Sequence, residues 1–392
     1  MSEAPPVTVR HLPSITEVGR TDWDGLFPGR AEGWDYFGAC EKAAPQGFSA
    51  SAMGAFAGRR LVAAVPLFRT DYRLDLSLAG PLKPVIEWLH RNAPNLVLVP
   101  VLGMGSPLTE ECPVGFAPGA TPGERLSAFA ALIDGMNTLA EASRIPLLAL
   151  KDITDRDAVW AHDLLIEAGF TRVATLPLAT LNLPFKDEGA YLASLSASMR
   201  SDLRKKMRRA NVSIEVRDTI DGIEDEIVTL FKETKAHRKA DYGAFDEVPA
   251  SYFREVMRAM PGRAQIMLAR VGGVLATFNI FLIERDRIIG KYIGMRYPLA
   301  REHNLYFVNW MAMARLCMER RIPWLQTGHT SYAQKVRLGC KLKRSWIYFK
   351  YRSPLINPLF KLFGPGMAFD RMDPDLAALG ASAPYLEPGA AP

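Results

Sequence analysis

The sequence predicts a chain of α/β (α+β) class made of two tandem units of similar layout. Each unit is expected to be a mixed, mostly antiparallel sheet flanked by helices. Three observations predict this. At 392 residues the chain is long enough for two or three separate cores. Two segments, Met53–Phe68 and Met267–Leu282, read alike as strand, tight glycine turn, strand. Further along, each half has a helix, an Arg-Ile-Pro step and an apolar run, at Arg144-Ile145-Pro146 and at Arg321-Ile322-Pro323. Proline stops the helix, and the apolar run after it reads as a buried strand. The same steps in the same order indicate a tandem duplication.

The elements follow in order. The first hairpin turns at Gly58. A helix over Leu126–Ser143 leads to a strand over Leu147–Leu150. A helix over Ala158–Ala168 stops at the C-cap signal Gly169, before a strand over Thr171–Leu183. Pro184–Gly189 reads as a hinge. Helices over Ala190–Ala210 and Glu224–Lys239 then precede strands over Gln265–Arg270, Val274–Ile283 and Arg287–Met295. Gly272-Gly273 supplies the positive φ of a two-residue hairpin turn, and Glu284–Arg287 makes the next turn. The segment Leu305–Arg320 is apolar nearly all round, so this helix is expected to be buried. These signals place the units at residues 1–184 and 185–352. The tail, 353–392, is apolar and proline-broken at first; its last dozen residues, rich in Ala, Gly and Pro, predict disorder.

Composition narrows the function only broadly. The apolar fraction of 48% and charged fraction of 23% are those of an ordinary globular protein. A net charge of +6 favours an acidic partner: a phosphate-bearing cofactor, anionic lipid or nucleic acid. Met1–Arg10 has no apolar core of a signal peptide, and no apolar run is long enough to span a membrane. Cys40, Cys112, Cys317 and Cys340 are far apart and form no zinc pattern, so a reduced, cytoplasmic chain without a metal is expected.

The richest chemistry lies in Trp324–Arg344. A buried strand opens into a polar loop and then a basic helix-like turn, and His329, Tyr332, Lys335 and Arg337 fall within nine residues. Upstream, the basic residues Arg200, Arg204 and Arg208 share one helix face.

Helix pair, antiparallel meander, long helix, strand and closing basic segment is the layout of an acetyltransferase (GNAT) domain. Three segments resemble those of FemAB-like proteins in particular: Tyr191–Arg209, with its leucine, small residues and Arg-rich end; Thr234–Phe245 with Tyr252-Phe253; and Gly328–Lys335 with Arg337-Leu338-Gly339. The resemblance covers the second half by motif and the first half by layout. It implies two GNAT-like units and transfer of acyl or aminoacyl groups to amines. One departure is plain: where GNAT enzymes carry a glycine loop for the coenzyme A pyrophosphate, this chain reads Gly294–Asn304 without one.

Under this resemblance His329 is the candidate general base, since imidazole titrates near working pH; the alternative is a polar loop histidine satisfied by a neighbour. Tyr332 would protonate the leaving thiolate, or else wedge its ring into the core. Lys335 would stabilise the tetrahedral oxyanion, and Arg337 would hold a donor phosphate. The alternative for both is a solvated basic surface with Lys341, Lys343 and Arg344. Arg296, Arg301 and His303 would replace the missing glycine loop with side-chain contacts. Gln326 and Thr327 would orient the acceptor, and Asn304 reads as a helix cap. Arg204 and Arg208 would bind substrate, or form a solvated helix side. His237, with Arg238, Asp241 and Tyr242, would line the acceptor cleft, or simply end a helix. Cys340 as a nucleophile paired with His329 is set against a small core residue.

The implied activity is N-acyl transfer of a long-chain group from acyl-coenzyme A, or an acyl-carrier protein, to the primary amine of an amphipathic acceptor such as a sphingoid base or amino lipid. The thioester is a co-substrate, and no cofactor is expected to be bound permanently. The apolar stretch Leu355–Phe363, with Lys361, would touch the inner face of a membrane peripherally, or cover a groove of its own protein. Two alternatives stand beside this. One is aminoacyl transfer from aminoacyl-tRNA to a peptidoglycan precursor; the other is a non-catalytic GNAT-like protein that binds a ligand or tRNA.

Overall fold

A computed structural model of the protein describes residues 7–43, 46–73, 88, 98–237, 247–363, 373–387 and 390. Contacts divide these into two compact units. The first contains the described residues between 7 and 176, 247–249, 344–363 and 373; the second contains those between 177 and 237, 250–343 and from 374 onward.

The strands show how the chain alternates. The first sheet takes β1 (Val7–Leu12), β2 (Phe48–Ala57), β3 (Arg60–Arg73), β4 (Leu98–Met104), β5 (Gly115–Phe116), β6 (Leu147–Thr154) and β7 (Thr171–Ala174). The chain then enters the second sheet with β8 (Leu178–Asn182), β9 (Ser213–Arg217), β10 (Ala264–Val271), β11 (Val274–Ile283), β12 (Arg287–Met295), β13 (Trp324–Gln326) and β14 (Lys341–Lys343). It returns to the first sheet for β15 (Ser345–Tyr351).

The first sheet runs β1-β2-β3-β4-β6-β15-β7, with β5 on β3. β15 lies antiparallel between β6 and β7, so the first unit is completed by a strand from near the chain's end. The strand expected over Thr171–Leu183 is divided at Thr175–Pro177, and its second half, β8, pairs with β13 and β14 instead. Among the described residues unit membership changes at 176/177, between 237 and 247, and at 249/250, 343/344 and 373/374, where the sequence expectation set its boundaries at 184/185 and 352/353.

The helices before β7 in the described part of the first unit are α1 (Arg20–Leu26), α2 (Trp34–Ala43), α3 (Pro122–Ala142) and α4 (Asp155–Glu167). α3 begins with a capping box between Thr121 and Glu124 and has Pro122 in its first turn. Its Phe129, Leu132, Ile133 and Met136 are buried with Met53, Val65, Leu102 and Leu148 of the sheet. Each such side chain removed from water contributes roughly 1.5–3 kcal/mol.

The second unit runs β14-β8-β13-β12-β11-β10-β9. Its helices are α5 (Glu188–Ser194), α6 (Ala197–Arg209), α7 (Glu224–Ala236), α8 (Ala250–Ala259), the short α9 (Leu299–Glu302), α10 (Leu305–Glu319) and α11 (Tyr332–Arg337). The single helix expected over Ala190–Ala210 breaks at Leu195-Ser196, where the Ser196 hydroxyl accepts the Met199 N–H and starts α6. β9, absent from the sequence expectation, adds to β10. Phe278 of β11 meets Phe253 of α8, while its neighbour Asn279 bonds Asn309 of α10. Alternate strand residues face opposite sides, so α8 and α10 cover opposite faces of this sheet.

After β15 comes α12 (Asn357–Phe363) in the first unit, then α13 (Pro374–Leu379) in the second. Asn357 fastens α12 by donating to Gly169 O and accepting from Tyr351 N, and the Phe360 ring packs on Phe349 and Tyr351. Leu355, Leu359 and Leu362 stay 85%, 53% and 71% exposed. Part of the final segment expected to be disordered is paired: Leu342 N donates to Pro384 O, and Leu386 N to Leu342 O. Residues 388, 389, 391 and 392 lie outside the described ones. Among the described residues no helix is long and apolar enough to cross a membrane.

Candidate active site

β12 and β13 are parallel, and they pair only through Arg287–Trp324, Ile288–Leu325 and Ile289–Gln326. Beyond Ile289, β12 continues to Met295 after β13 has ended. A bulge falls where they part: Ile280 opposes Tyr292 and Phe281 opposes Gly290, which leaves Lys291 as the extra residue. A bulge bends its strand and adds twist, so it turns β12 away from β13 and opens a wedge in the sheet. The closed end is locked by the buried Arg287, whose Nε donates to Glu284 Oε2 at 2.6 Å and whose Nη1 donates to Gln326 Oε1 at 2.8 Å. Gln326 is thus a buried lock between the strands, not the acceptor-orienting group expected from the sequence.

His329 sits in the loop that leaves β13. Gly328, Thr330 and Ser331 have φ of 67°, 78° and 55°, a left-handed run that is costly for a β-branched threonine. The run is held from within. Lys335 is buried, and its Nζ donates to the carbonyls of Thr327, Gly328 and His329 at 2.7, 2.9 and 3.2 Å. The N–H and hydroxyl of Thr327 both donate to Ala179 O of β8. Tyr332 is fully buried and donates to Pro177 O at 2.8 Å. Lys335, Tyr332 and Thr327 therefore shape the loop, a structural task beside the oxyanion, leaving-group and acceptor roles expected of them. His329 is half-buried, with Nε2 shielded from solvent. Arg337 lies exposed at the end of α11.

A second group gathers at the far end of β12, around Glu233 of α7. Glu233 accepts the Tyr297 N–H and pairs with Arg296, whose Nε also donates to Leu275 O. The His237 ring stacks on Tyr297 with centroids 3.8 Å apart, and Nδ1 contacts Glu233 O at 2.8 Å. The Thr234 hydroxyl accepts the Met295 N–H at 2.7 Å. Arg301 is exposed, and His303 Nε2 lies 3.7 Å from Glu302. The expected acceptor residue His237 and donor residue Arg296 thus share one cluster, while Tyr242, Arg238 and Asp241 fall outside the described residues.

The backbone from Arg296 to Asn304 does not form an anion cradle. The N–H groups of Ala300, Arg301, His303 and Asn304 donate to Arg296, Pro298, Leu299 and Arg301 carbonyls. Asn304 adopts φ 54° and makes no side-chain cap; its carbonyl, not its amide side chain, accepts from Phe307 and Val308. A pyrophosphate here would rest on side chains, of which Arg301 is the exposed cation.

Three groups escaped the sequence reading. Glu233 organises the second cluster. Lys291 is a buried lysine within the apolar run Ile288–Ile293, a signal visible in the sequence. Tyr306 of α10 has a buried hydroxyl without a hydrogen-bond partner among the described residues, and burial pushes its phenol well above the usual value. Cys340 is buried, which pushes its thiol up to about 12 despite the nearby Lys335 and a Thr327 hydrogen bond. It is protonated at neutral pH and is not a nucleophile. Arg204 and Arg208 belong to a separate place on α6, described below.

Residues 197–335 match the family described as Acetyltransferase (GNAT) domain. No curated protein matches the chain. Among solved structures, FemX is 12% identical with a TM-score of 0.57, over 91% of this chain and 100% of its own. The C-terminal domain of an Agrobacterium fabrum protein assigned as a lysylphosphatidylglycerol synthetase is 13% identical with a TM-score of 0.54, over 88% and 93%. A tandem GNAT protein from the clavulanic acid biosynthesis pathway is 16% identical with a TM-score of 0.50, over 89% and 99%. At such identities the likeness is one of fold. The two sheets have the layout of a tandem GNAT-like fold. Residues 197–335 thus carry a GNAT domain, and the layout of the chain is similar to that of FemX.

Proposed function

We propose that the protein transfers a long-chain acyl group from a thioester, on coenzyme A or an acyl-carrier protein, to the primary amine of an amphipathic acceptor such as a sphingoid base or amino lipid. The observation that carries this reading is the wedge between β12 and β13, with the His329 loop leaving β13 where the strands part. The amine attacks the thioester carbonyl, His329 takes its proton, the C–S bond breaks, and the thiolate leaves with a proton. The products are an amide and a free thiol. Holding both reactants in the wedge supplies much of the rate. The exposed Leu355, Leu359 and Leu362 beside Lys361 support peripheral contact with the inner face of a membrane, where such acceptors reside.

The closed amides of residues 300–304 favour a second reading, in which the donor is an aminoacyl-tRNA and the acceptor a peptidoglycan precursor. The basic α6 suits that donor as well. Thiol release from lauroyl-coenzyme A, with and without sphinganine, separates the two. Amine-dependent release that is lost in His329→Ala supports the first. Consumption of aminoacyl-tRNA with no turnover of any acyl thioester replaces it by the second.

A further inference from the structure

The second unit holds a half-open cavity of about 320 Å³ between α5, α6 and α10, apart from the chemistry assigned to His329. Its walls are Leu192, Leu203, Met207 and Met311, and its lining is completed by Glu188, Arg204 and Arg208. This is the size at which small-molecule pockets begin, and thioether side chains adapt to flexible apolar ligands. At roughly 30 Å³ for a group the size of water or a methylene, it has room for about ten such groups.

The charges around it are sorted. Glu188 is already neutralised by Arg315, whose Nε lies 2.5 Å from Oε2. On α6, Lys206 pairs with Asp202 and sits over the Phe307 ring, while Arg200 donates to the carbonyls of Ala193 and Leu195. Arg204 and Arg208, one helical turn apart, are exposed and make no ion pair or hydrogen bond among the described residues. The helix commits Arg200 and Lys206 to the fold and leaves Arg204, Lys205, Arg208 and Arg209 exposed, and of these four Arg204 and Arg208 line the cavity. Paired guanidinium groups beside an apolar recess match a phosphate attached to a hydrocarbon chain.

We infer that this cavity binds the alkyl chain of an anionic amphiphile, with its phosphate held by Arg204 and Arg208. The inference deepens the proposed function by naming the chemistry of an amphipathic substrate. It rests on that reading for the ligand's role, whereas binding itself is tested separately. Titration of the full chain with dodecyl phosphate, below its micellar concentration, should show saturable one-to-one binding by calorimetry. The double variant Arg204→Ala/Arg208→Ala should weaken it at least tenfold. Met207→Trp, which fills the cavity from a half-buried position, should weaken it as much, with both variants keeping the parent melting temperature. Lauroyl-coenzyme A or lysophosphatidic acid should compete, and the stronger competitor names the source of the chain. Lack of saturation, equal binding to both folded variants, equal competition by inorganic phosphate, or competition by neither amphiphile would overturn the inference. His329→Ala should abolish transfer and leave dodecyl phosphate binding intact. Loss of one property without the other therefore tells which of the two readings has failed.

Discussion

The two units share one construction and differ at the place where chemistry needs space. In the first, Phe68 of β3 lies opposite Gly103 of β4; in the second, Phe278 of β11 lies opposite Gly294 of β12. In each case the ring occupies the space a glycine Cβ would fill, approaching to 2.2 Å, and a methionine follows the glycine. The parallel neighbour, however, is placed at opposite ends. β6 pairs with Val101–Met104 beside the glycine, whereas β13 pairs with Arg287–Ile289 and never reaches it. β6 is eight residues long and β13 three. The first unit is closed where the second is open, and Gly105 N and Cys112 N, bonded to Pro66 O and Asp152 O, tighten the closed end. A shortened strand and one bulge suffice to turn a structural sheet into a cleft.

The largest effect should come from breaking this asymmetry at its chemical end. His329→Ala should lower the transfer rate by about 10²–10⁴-fold, the usual worth of a general base. Lys151→Ala, on the strand β6 that corresponds to β13, should leave the rate of folded enzyme within about threefold. Thiol-release kinetics at matched folded fraction measure both. Equal losses would place the chemistry in neither loop and dismantle the comparison.

Lys335 comes next. It holds three carbonyls of the His329 loop from a buried position, so Lys335→Met should cost about 2–4 kcal/mol of stability, seen as a lower urea midpoint. A mutant that loses transfer at unchanged stability would instead give the ammonium a chemical role.

Much of the framework was legible in the sequence because its signals are local. Gly272-Gly273 has φ of 55° and 83°, as its hairpin turn requires, and both Arg-Ile-Pro steps end helices before strands. The Gly-Met repeat at Gly103-Met104 and Gly294-Met295 was also readable and is the clearest mark of the duplication. The placement of β8 and β15 was not, since adjacent strands in sequence join different sheets and nothing in their apolar pattern names the partner. The candidate loop was found by its polar residues, whose structural engagements the sequence does not show. Lys335, Tyr332, Gln326 and Thr327 carry reactive groups, and only the fold reveals that backbone carbonyls and Arg287 already engage them.

The paired glycines give a smaller and more discriminating test. The three atoms nearest an Ala Cβ at Gly103 all belong to the Phe68 ring, a side chain able to shift. Ala at Gly294 meets the Phe278 ring and also the backbone carbon of Leu230 at 2.8 Å, where α7 crosses β12. Overpacking of this kind costs about 1–3 kcal/mol, and Gly294→Ala should fall at the upper end with Gly103→Ala at the lower. The reverse order in urea unfolding would mean that α7 is free to yield, and that the far end of the wedge is softer than its packing implies.

The smallest effect concerns the thiols. Burial raises Cys340 and Cys317 to about 12 from an ordinary 9.0, so each keeps its proton in the native state when an unfolded chain would release it. Stability should therefore be flat below about pH 9 and fall as pH rises from there towards 12, by roughly 1 kcal/mol per thiol at pH 9.5. Urea midpoints across pH 8–10 should show this decline, and Cys340→Ala should lessen it by one thiol's share while keeping transfer within about threefold. A Cys340 that labels rapidly with iodoacetamide at pH 8 in the folded protein would contradict its burial. It would also reopen the thiol as a participant in the second unit, where we propose that transfer takes place.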